Sequence, residues 1–198
     1  MKKNILLHCA MEKEAAQIAN KLGLRQENDK IYRNENSTIS LIITGIGKQK
    51  TAIEVIKYIE NNEKPELIVN IGYAGSTNCE IGTWVNVSKV YNLEWEIPGE
   101  EKYSMKDTGN QELIKIEGMK QLECFSAEKF VTKTDLTGEI LFDMELHSLA
   151  IICDMYKIPL LSLKKVSDNL SINDYYKNID MEEVMELKSS INYLKNII

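Results

Sequence analysis

Arginine is nearly missing from this chain: among 24 basic residues only Arg25 and Arg33 are arginines. The planar guanidinium is the usual bidentate grip on a phosphate dianion. Neither arginine stands in a glycine-rich segment at the end of a predicted strand, which weighs against a tightly held phosphate co-substrate. Histidine is equally scarce, with only His8 and His147. The four cysteines, Cys9, Cys79, Cys124 and Cys153, include no Cys-x-x-Cys pair. The short ligand spacing that announces a zinc site is therefore lacking, and reduced, mostly buried thiols are the expectation. No run approaches the ~18–20 apolar residues that span a bilayer. The opening run Ile5-Leu6-Leu7 meets His8 and then Met11-Glu12-Lys13-Glu14, too early for the hydrophobic region of a signal peptide. A cytoplasmic location is expected. Positive charge is also in deficit, with 30 acidic residues and a net charge of -6. That denies the chain the basic footprint that nucleic-acid binding exploits.

What is present is enough for one domain with a sizeable core: 198 residues, 43% hydrophobic and 27% charged, with no repeats and no linker. Ile5–Cys9 reads as the opening strand of a sheet covered on both faces. Residues 10–22 follow as a helix with Ala15, Ile18, Ala19 and Leu22 on one stripe, ended by Gly23. Residues 30–33 and 37–44 read as paired strands, and 49–60 as a second helix burying Ala52, Val55, Ile56 and Ile59. Pro65 precedes a strand over 67–71, which the turn Gly72-Tyr73-Ala74-Gly75-Ser76 is expected to end. Residues 84–95 form a long strand, 97–111 a loop, and 112–116 and 122–130 two shorter strands. A helix over 145–156, a strand over 160–163 and a last helix over 181–198, capped by Asp180, complete the chain. The alternation predicts an α/β class: a single domain over residues 1–198 with a mixed, curved central sheet flanked by helices.

Ligands in such sheets collect beyond the carboxyl ends of the strands. Three acidic positions fall there: Glu12/Glu14 after the first strand, Glu145 at a helix start, and Asp168 after a late strand. Glu12 and Glu14 fit a simpler role as acids in a first helical turn. Glu145 opens a largely apolar helix, where a buried carboxylate needs a partner or a ligand hydroxyl. Gly45-Ile46-Gly47-Lys48 lacks the full P-loop and dinucleotide patterns, so its glycines serve either a phosphate or close backbone packing.

Taken in order, Ala10-Met11-Glu12-Lys13-Glu14, Thr44-Gly45-Ile46-Gly47-Lys48, Val69-Asn70-Ile71-Gly72-Tyr73-Ala74-Gly75, Phe142-Asp143-Met144-Glu145 and Val166-Ser167-Asp168-Asn169 resemble the purine nucleoside phosphorylase and nucleosidase superfamily. The likeness is greatest to its bacterial methylthioadenosine/S-adenosylhomocysteine nucleosidases. It implies hydrolysis of a purine N-glycosidic bond without a metal or redox cofactor, in a homodimer whose subunits complete each other's pockets. On matching positions Glu14 would activate water and Asp168 would protonate N7 of the leaving base. Glu145 would hold ribose hydroxyls with Met144 against the sugar. Phe130 would stack on the base, the Val131 backbone would meet its edge, and Tyr73, Ala74 and Gly75 would line the substrate. Tyr73 stands where the family often has a small Ser or Thr. Within or beside the family, a phosphate-dependent phosphorylase, a futalosine-type hydrolase and a noncatalytic nucleoside-binding protein are the alternatives.

Overall fold

The computed structural model describes residues 4–35, 38–104 and 113–179. The helix expected over 181–198 with its Asp180 cap, and residues 105–112 of the expected loop and strand, lie outside the described residues. In chain order the elements are β1 (Ile5–Cys9), α1 (Glu12–Leu22), β2 (Arg25–Asn28), β3 (Ile31–Arg33), β4 (Ile39–Ile43), α2 (Lys48–Asn61) and β5 (Leu67–Ser76). There follow β6 (Trp84–Asn92), β7 (Gln121–Ser126), β8 (Ile140–Asp143), α3 (Leu146–Tyr156), β9 (Leu160–Asp168) and α4 (Ile172–Ile179).

All described strands join one mixed sheet, ordered β2-β3-β4-β1-β5-β8-β7-β6-β9, and β9 returns to pair with β5. That return closes β5, β8, β7, β6 and β9 into a small barrel, the curved sheet expected of this chain. β1 lies between β4 and β5, parallel to both, and all five of its residues are buried. Each large apolar side chain so buried contributes roughly 1.5–3 kcal/mol. One apolar layer, including Val55, Ile59, Leu149 and Ile152, fills the space under α2 and α3. A second, built on Leu7, Ala15, Ile18 and Val69, packs under α1. Gly23 ends α1 in the left-handed region (φ 66°), where Leu24 N–H closes on Ala19 O at 2.8 Å.

Several boundaries differ from the sequence expectation. β5 does not stop at Ile71; it runs through both glycines to Ser76. Its first part pairs in parallel with β9, from Ile68↔Leu160 to Ala74↔Val166. The register then shifts so that Gly75 faces Asp168, while Gly75 and Ser76 also pair with Phe142 and Leu141 of β8. One long strand thus changes partners along its length, which a turn could not do. β9 likewise continues past Leu163, making Asp168 a strand-terminal residue. Residues 113–116 carry no strand, β7 ends at Ser126, and β2, β8 and α4 are additional elements.

Candidate active site

The carboxyl ends of β1, β5 and β9 and the start of α3 surround a cavity of about 220 Å³. Glu14, Tyr73, Ala74, Gly75, Phe130, Met144, Glu145 and Asp168 all line it. Val131 lines a small recess beside it, together with Phe130, Met144 and Asp168. The residues singled out from the sequence are therefore brought together around one space.

Glu14 is the third residue of α1, and only 3% of it is exposed, whereas Glu12 faces solvent. The bland reading of acids at a helix start suffices for Glu12, whereas Glu14 both caps the helix start and lines the cavity. One carboxylate oxygen of Glu14 accepts the N–H groups of Ala10 (3.1 Å) and Met11 (3.0 Å), and the other accepts the N–H of Tyr73 (3.1 Å). Burial pushes its pKa above the ordinary glutamate value, and these N–H donors together with the Lys164 ammonium limit the rise. Tyr73 enters through its backbone, and its half-buried ring also faces the cavity.

Asp168 is fully buried at the end of β9. Its Oδ2 accepts the Ser167 hydroxyl at 2.8 Å, while its Oδ1 has no hydrogen-bond partner. Burial raises its pKa; donors from Ser167, Leu170 and Ser171 oppose the rise, and the nearby Asp174 adds to it. The glycines of β5 explain how both acids fit against the sheet. A Cβ on Gly72 would stand 2.8 Å from Glu14 Oε1, and one on Gly75 would stand 2.9 Å from Asp168 Oδ1.

Glu145 precedes the first turn of α3 and is 6% exposed. Its Oε1 accepts the N–H of Gly47 at 2.9 Å. Burial, reinforced by the Asp143 carboxylate, pushes its pKa up to about 8. Asp143 itself is ion-paired with Lys164 Nζ at 2.8 Å, with side-chain exposures of 2% for the lysine and 0% for the aspartate. It also accepts the Leu146 N–H at 3.0 Å. Burial works against ionising Asp143, but Lys164 and these donors hold its pKa below the usual carboxylate value. The Lys164 pKa is raised, because Asp143 and Glu145 outweigh its desolvation. Beneath lies His8, bonded to Thr44 Oγ1 at 3.0 Å and to Asn70 Nδ2 at 2.9 Å. Burial, then Lys164, lowers its pKa to about 3, so it is neutral.

Sequence reasoning missed the far wall. Ile172, Tyr175 and Tyr176 of α4 face the cavity with Met11 and Ile46. The Tyr175 hydroxyl meets Met11 Sδ at 3.4 Å, and its ring lies edge-on to Phe130 with centroids 5.5 Å apart. The available signal was the Ile172-x-x-Tyr175-Tyr176 spacing, which puts apolar groups on one helical face only four residues after Asp168. Lys164 was visible only as half of a lysine pair. Strand alternation turns it inward, opposite Gly72 of β5.

Among the described residues no group of three or more His, Cys, Asp or Glu side chains is arranged to hold a metal, and all four cysteines are buried and free. No described helix is long and apolar enough to cross a membrane.

The profile of the Phosphorylase superfamily matches residues 4–122. A 5'-methylthioadenosine/S-adenosylhomocysteine nucleosidase of Buchnera aphidicola is 28% identical to the chain, over 88% of it and 86% of the relative. The solved 5'-methylthioadenosine nucleosidase of Arabidopsis thaliana superposes with a TM-score of 0.82 at 20% identity, covering 98% of this chain and 95% of its own. A 5'-methylthioadenosine/S-adenosylhomocysteine nucleosidase of Colwellia psychrerythraea, solved in complex with adenine, gives a TM-score of 0.74 at 18% identity, covering 89% of this chain and 88% of its own.

Proposed function

The chain belongs to the phosphorylase superfamily, and from that premise we propose that it is a nucleosidase. It hydrolyses the N-glycosidic bond of a purine nucleoside of the 5'-methylthioadenosine or S-adenosylhomocysteine type and releases the free base. The observation that carries this reading is the buried Asp168 Oδ1, unpartnered at the edge of a cavity that Glu14 and Glu145 also line. A buried polar atom without a partner is costly, and a purine nitrogen would satisfy it.

In this mechanism the base sits between Phe130 and Asp168, with the Val131 backbone along its edge. Asp168, its pKa raised, carries a proton on Oδ1 and delivers it to N7 as the glycosidic bond lengthens. Glu14, fixed by three backbone N–H groups, orients and deprotonates the attacking water. Glu145 accepts the ribose hydroxyls, with Met144 against the sugar and Tyr73, Ala74 and Gly75 beside it. The anionic Glu14 favours the positive charge that develops on the ribose. Among the described residues no arginine or lysine lines the main cavity, and Lys129 lines the small recess beside it. Arg25 and Arg33 stand at the β2–β3 edge in ion pairs with Glu35 and Glu27. Among the described residues a phosphate nucleophile would meet acidic side chains and no lining arginine or lysine in this cavity, which favours water over phosphorolysis.

The proposal takes residues 1–198 as one such domain, working in the cytoplasm on a small molecule rather than a nucleic acid. A homodimer belongs to the same reading: Ile46, Ile172 and Tyr176, all at the cavity rim, are 46%, 47% and 58% exposed. Apolar side chains so placed suit cover by a second subunit. The test is release of adenine from 5'-methylthioadenosine in phosphate-free buffer. Turnover is expected, and Asp168→Asn is expected to lower kcat by about 10²–10⁴-fold, the range of a lost general acid. A requirement for phosphate, or no turnover across a nucleoside panel, refutes the reading.

A further inference from the structure

The start of α2 has the wrong charge for a helix N-terminus. No acidic residue lies in its first turn, where Lys48 and Lys50 stand instead. Carboxylates normally occupy this end because the exposed N–H groups carry partial positive charge. Here they arrive from elsewhere in the chain. Glu145 takes the Gly47 N–H at 2.9 Å, and Glu128 takes the Gln49 N–H at 3.2 Å. The other Glu128 oxygen lies 3.0 Å from where a Gly47 Cβ would be, and Gly47 sits at φ 109°. The Gly47 and Gln49 N–H groups are thus taken by the chain's own carboxylates.

Lys48 closes the circuit. Its Nζ donates to Asn92 Oδ1, at the last residue of β6, at 2.8 Å and is ion-paired with Glu94 in the turn that follows. The second Glu94 oxygen accepts the backbone N–H of Glu128 at 2.7 Å. Partial burial favours the neutral acid, yet Lys48 and this N–H hold the Glu94 pKa below the ordinary value. Lys48 is only 13% exposed and also faces His147, whose ring burial and this ammonium keep neutral. Contacts therefore run Lys48–Glu94–Glu128–Gln49 and back to α2. The circuit joins the turn bearing Ile46 and Gly47 to the segment that leads, two residues on, to Phe130.

We propose that Lys48, Glu94 and Glu128 form a latch of positioning residues that fixes the Phe130 wall at a set distance from the Glu145-supporting turn, and so sets the affinity for the nucleoside. None of the three lines the main cavity; they act through Gly47, Glu145 and Phe130. The inference rests on the nucleosidase reading for its ligand but not for its geometry. A wall held at the wrong distance weakens substrate and transition state alike, which raises KM and spares kcat.

Two arms test this. With 5'-methylthioadenosine, Glu94→Gln is expected to raise KM about tenfold with kcat within twofold. Lys48→Met should do the same, while Lys48→Arg should keep KM near wild type. Wild-type KM should climb between 0.05 and 0.5 M NaCl, and the Glu94→Gln KM should not, since only the intact pair is screened. In the second arm, amide hydrogen exchange of the free protein needs no substrate. Exchange at Gly47 and Gln49 should be at least tenfold faster in Glu94→Gln and in Glu128→Gln than in wild type. Unchanged exchange at both amides overturns the latch even if wild type turns over, as does a KM within twofold of wild type. Should wild type release no adenine, the nucleosidase reading fails and the exchange arm alone decides the latch.

Discussion

Alanine at Gly72 or Gly75 should disable the site while leaving the fold standing. Neither glycine has positive φ, so alanine is permitted at both by the backbone. What forbids it is a carboxylate: an added Cβ would lie 2.8 Å from Glu14 Oε1 at position 72 and 2.9 Å from Asp168 Oδ1 at position 75. Ordinary contact begins at 3.4 Å, so each acid must retreat by 3.4 − 2.8 or 3.4 − 2.9, about 0.6 or 0.5 Å. Glu14 cannot do so without stretching the bond to the Tyr73 N–H, already 3.1 Å long. Misplacement by ~1 Å costs on the order of 10²-fold in rate, so a loss of roughly tenfold or more in kcat/KM is expected for each variant. Stability should change by less than about 2 kcal/mol, because crowding costs roughly 1–3 kcal/mol while loss of glycine's unfolded-state entropy returns roughly 0.4–1 kcal/mol. Adenine release and urea unfolding measure the two effects separately. An activated riboside with a nitrophenolate leaving group needs no proton from Asp168. Gly75→Ala should regain much of its rate on that substrate, and Gly72→Ala, which disturbs Glu14, the proposed water-orienting residue, should not. Wild-type activity in both alanine variants would refute the claim that the glycines exist to admit the acids.

Two further predictions concern the buried charges. Lys164→Met leaves Asp143 ionisable, buried and unpaired, and should cost about 3–5 kcal/mol. Adding Asp143→Leu should cost less than the sum of the single changes, and a coupling below about 0.5 kcal/mol in a urea double-mutant cycle would deny the pair its importance. Glu145 should make the ligand-free protein less stable as pH rises. Its folded pKa, pushed up to about 8, lies above its unfolded value, so its contribution is full below about pH 4.5 and is lost as pH climbs through 8. The Tm of wild type should therefore fall between pH 5 and 8.5 relative to Glu145→Gln, and parallel Tm profiles would contradict this.

Local periodicity made much of the scaffold legible. The buried run of β1 and the Ala15, Ile18, Ala19 stripe of α1 stand where apolar spacing puts them. Gly23 ends its helix for the reason that glycine usually does. The same rule misled at Gly72 and Gly75, which punctuate nothing. Their missing side chains make room for carboxylates that come from 58 positions earlier in one case and 93 later in the other. No local window holds that information. The three acids were legible only as an ordered set, and their convergence depends on β5, which keeps β9 on one edge as far as Gly75 while its other edge passes from β1 to β8. Lys164 was hidden for a related reason. A lysine predicts exposure unless a buried counter-charge is known, and Asp143 reaches it only through the barrel closure.

Burial acts on Glu14, Glu145 and Asp168 alike, raising all three pKa values, so it cannot by itself decide which is acid and which is base. The neighbours decide. Both oxygens of Glu14 accept backbone N–H groups, and Lys164 lies close enough to favour its anion. A proton there would have to compete with fixed donors. Asp168 has one oxygen with no partner at all, and its charged neighbour is Asp174, which opposes ionisation. A proton on Oδ1 displaces no existing hydrogen bond. Pairs of acids whose surroundings push them apart are how one site holds a base and an acid at the same pH. On the proposed reaction, the buried Lys164 beneath the cavity and the unpartnered Asp168 oxygen at its edge therefore do complementary things. The first keeps Glu14 able to take a proton from water, and the second keeps Asp168 able to give one to the base.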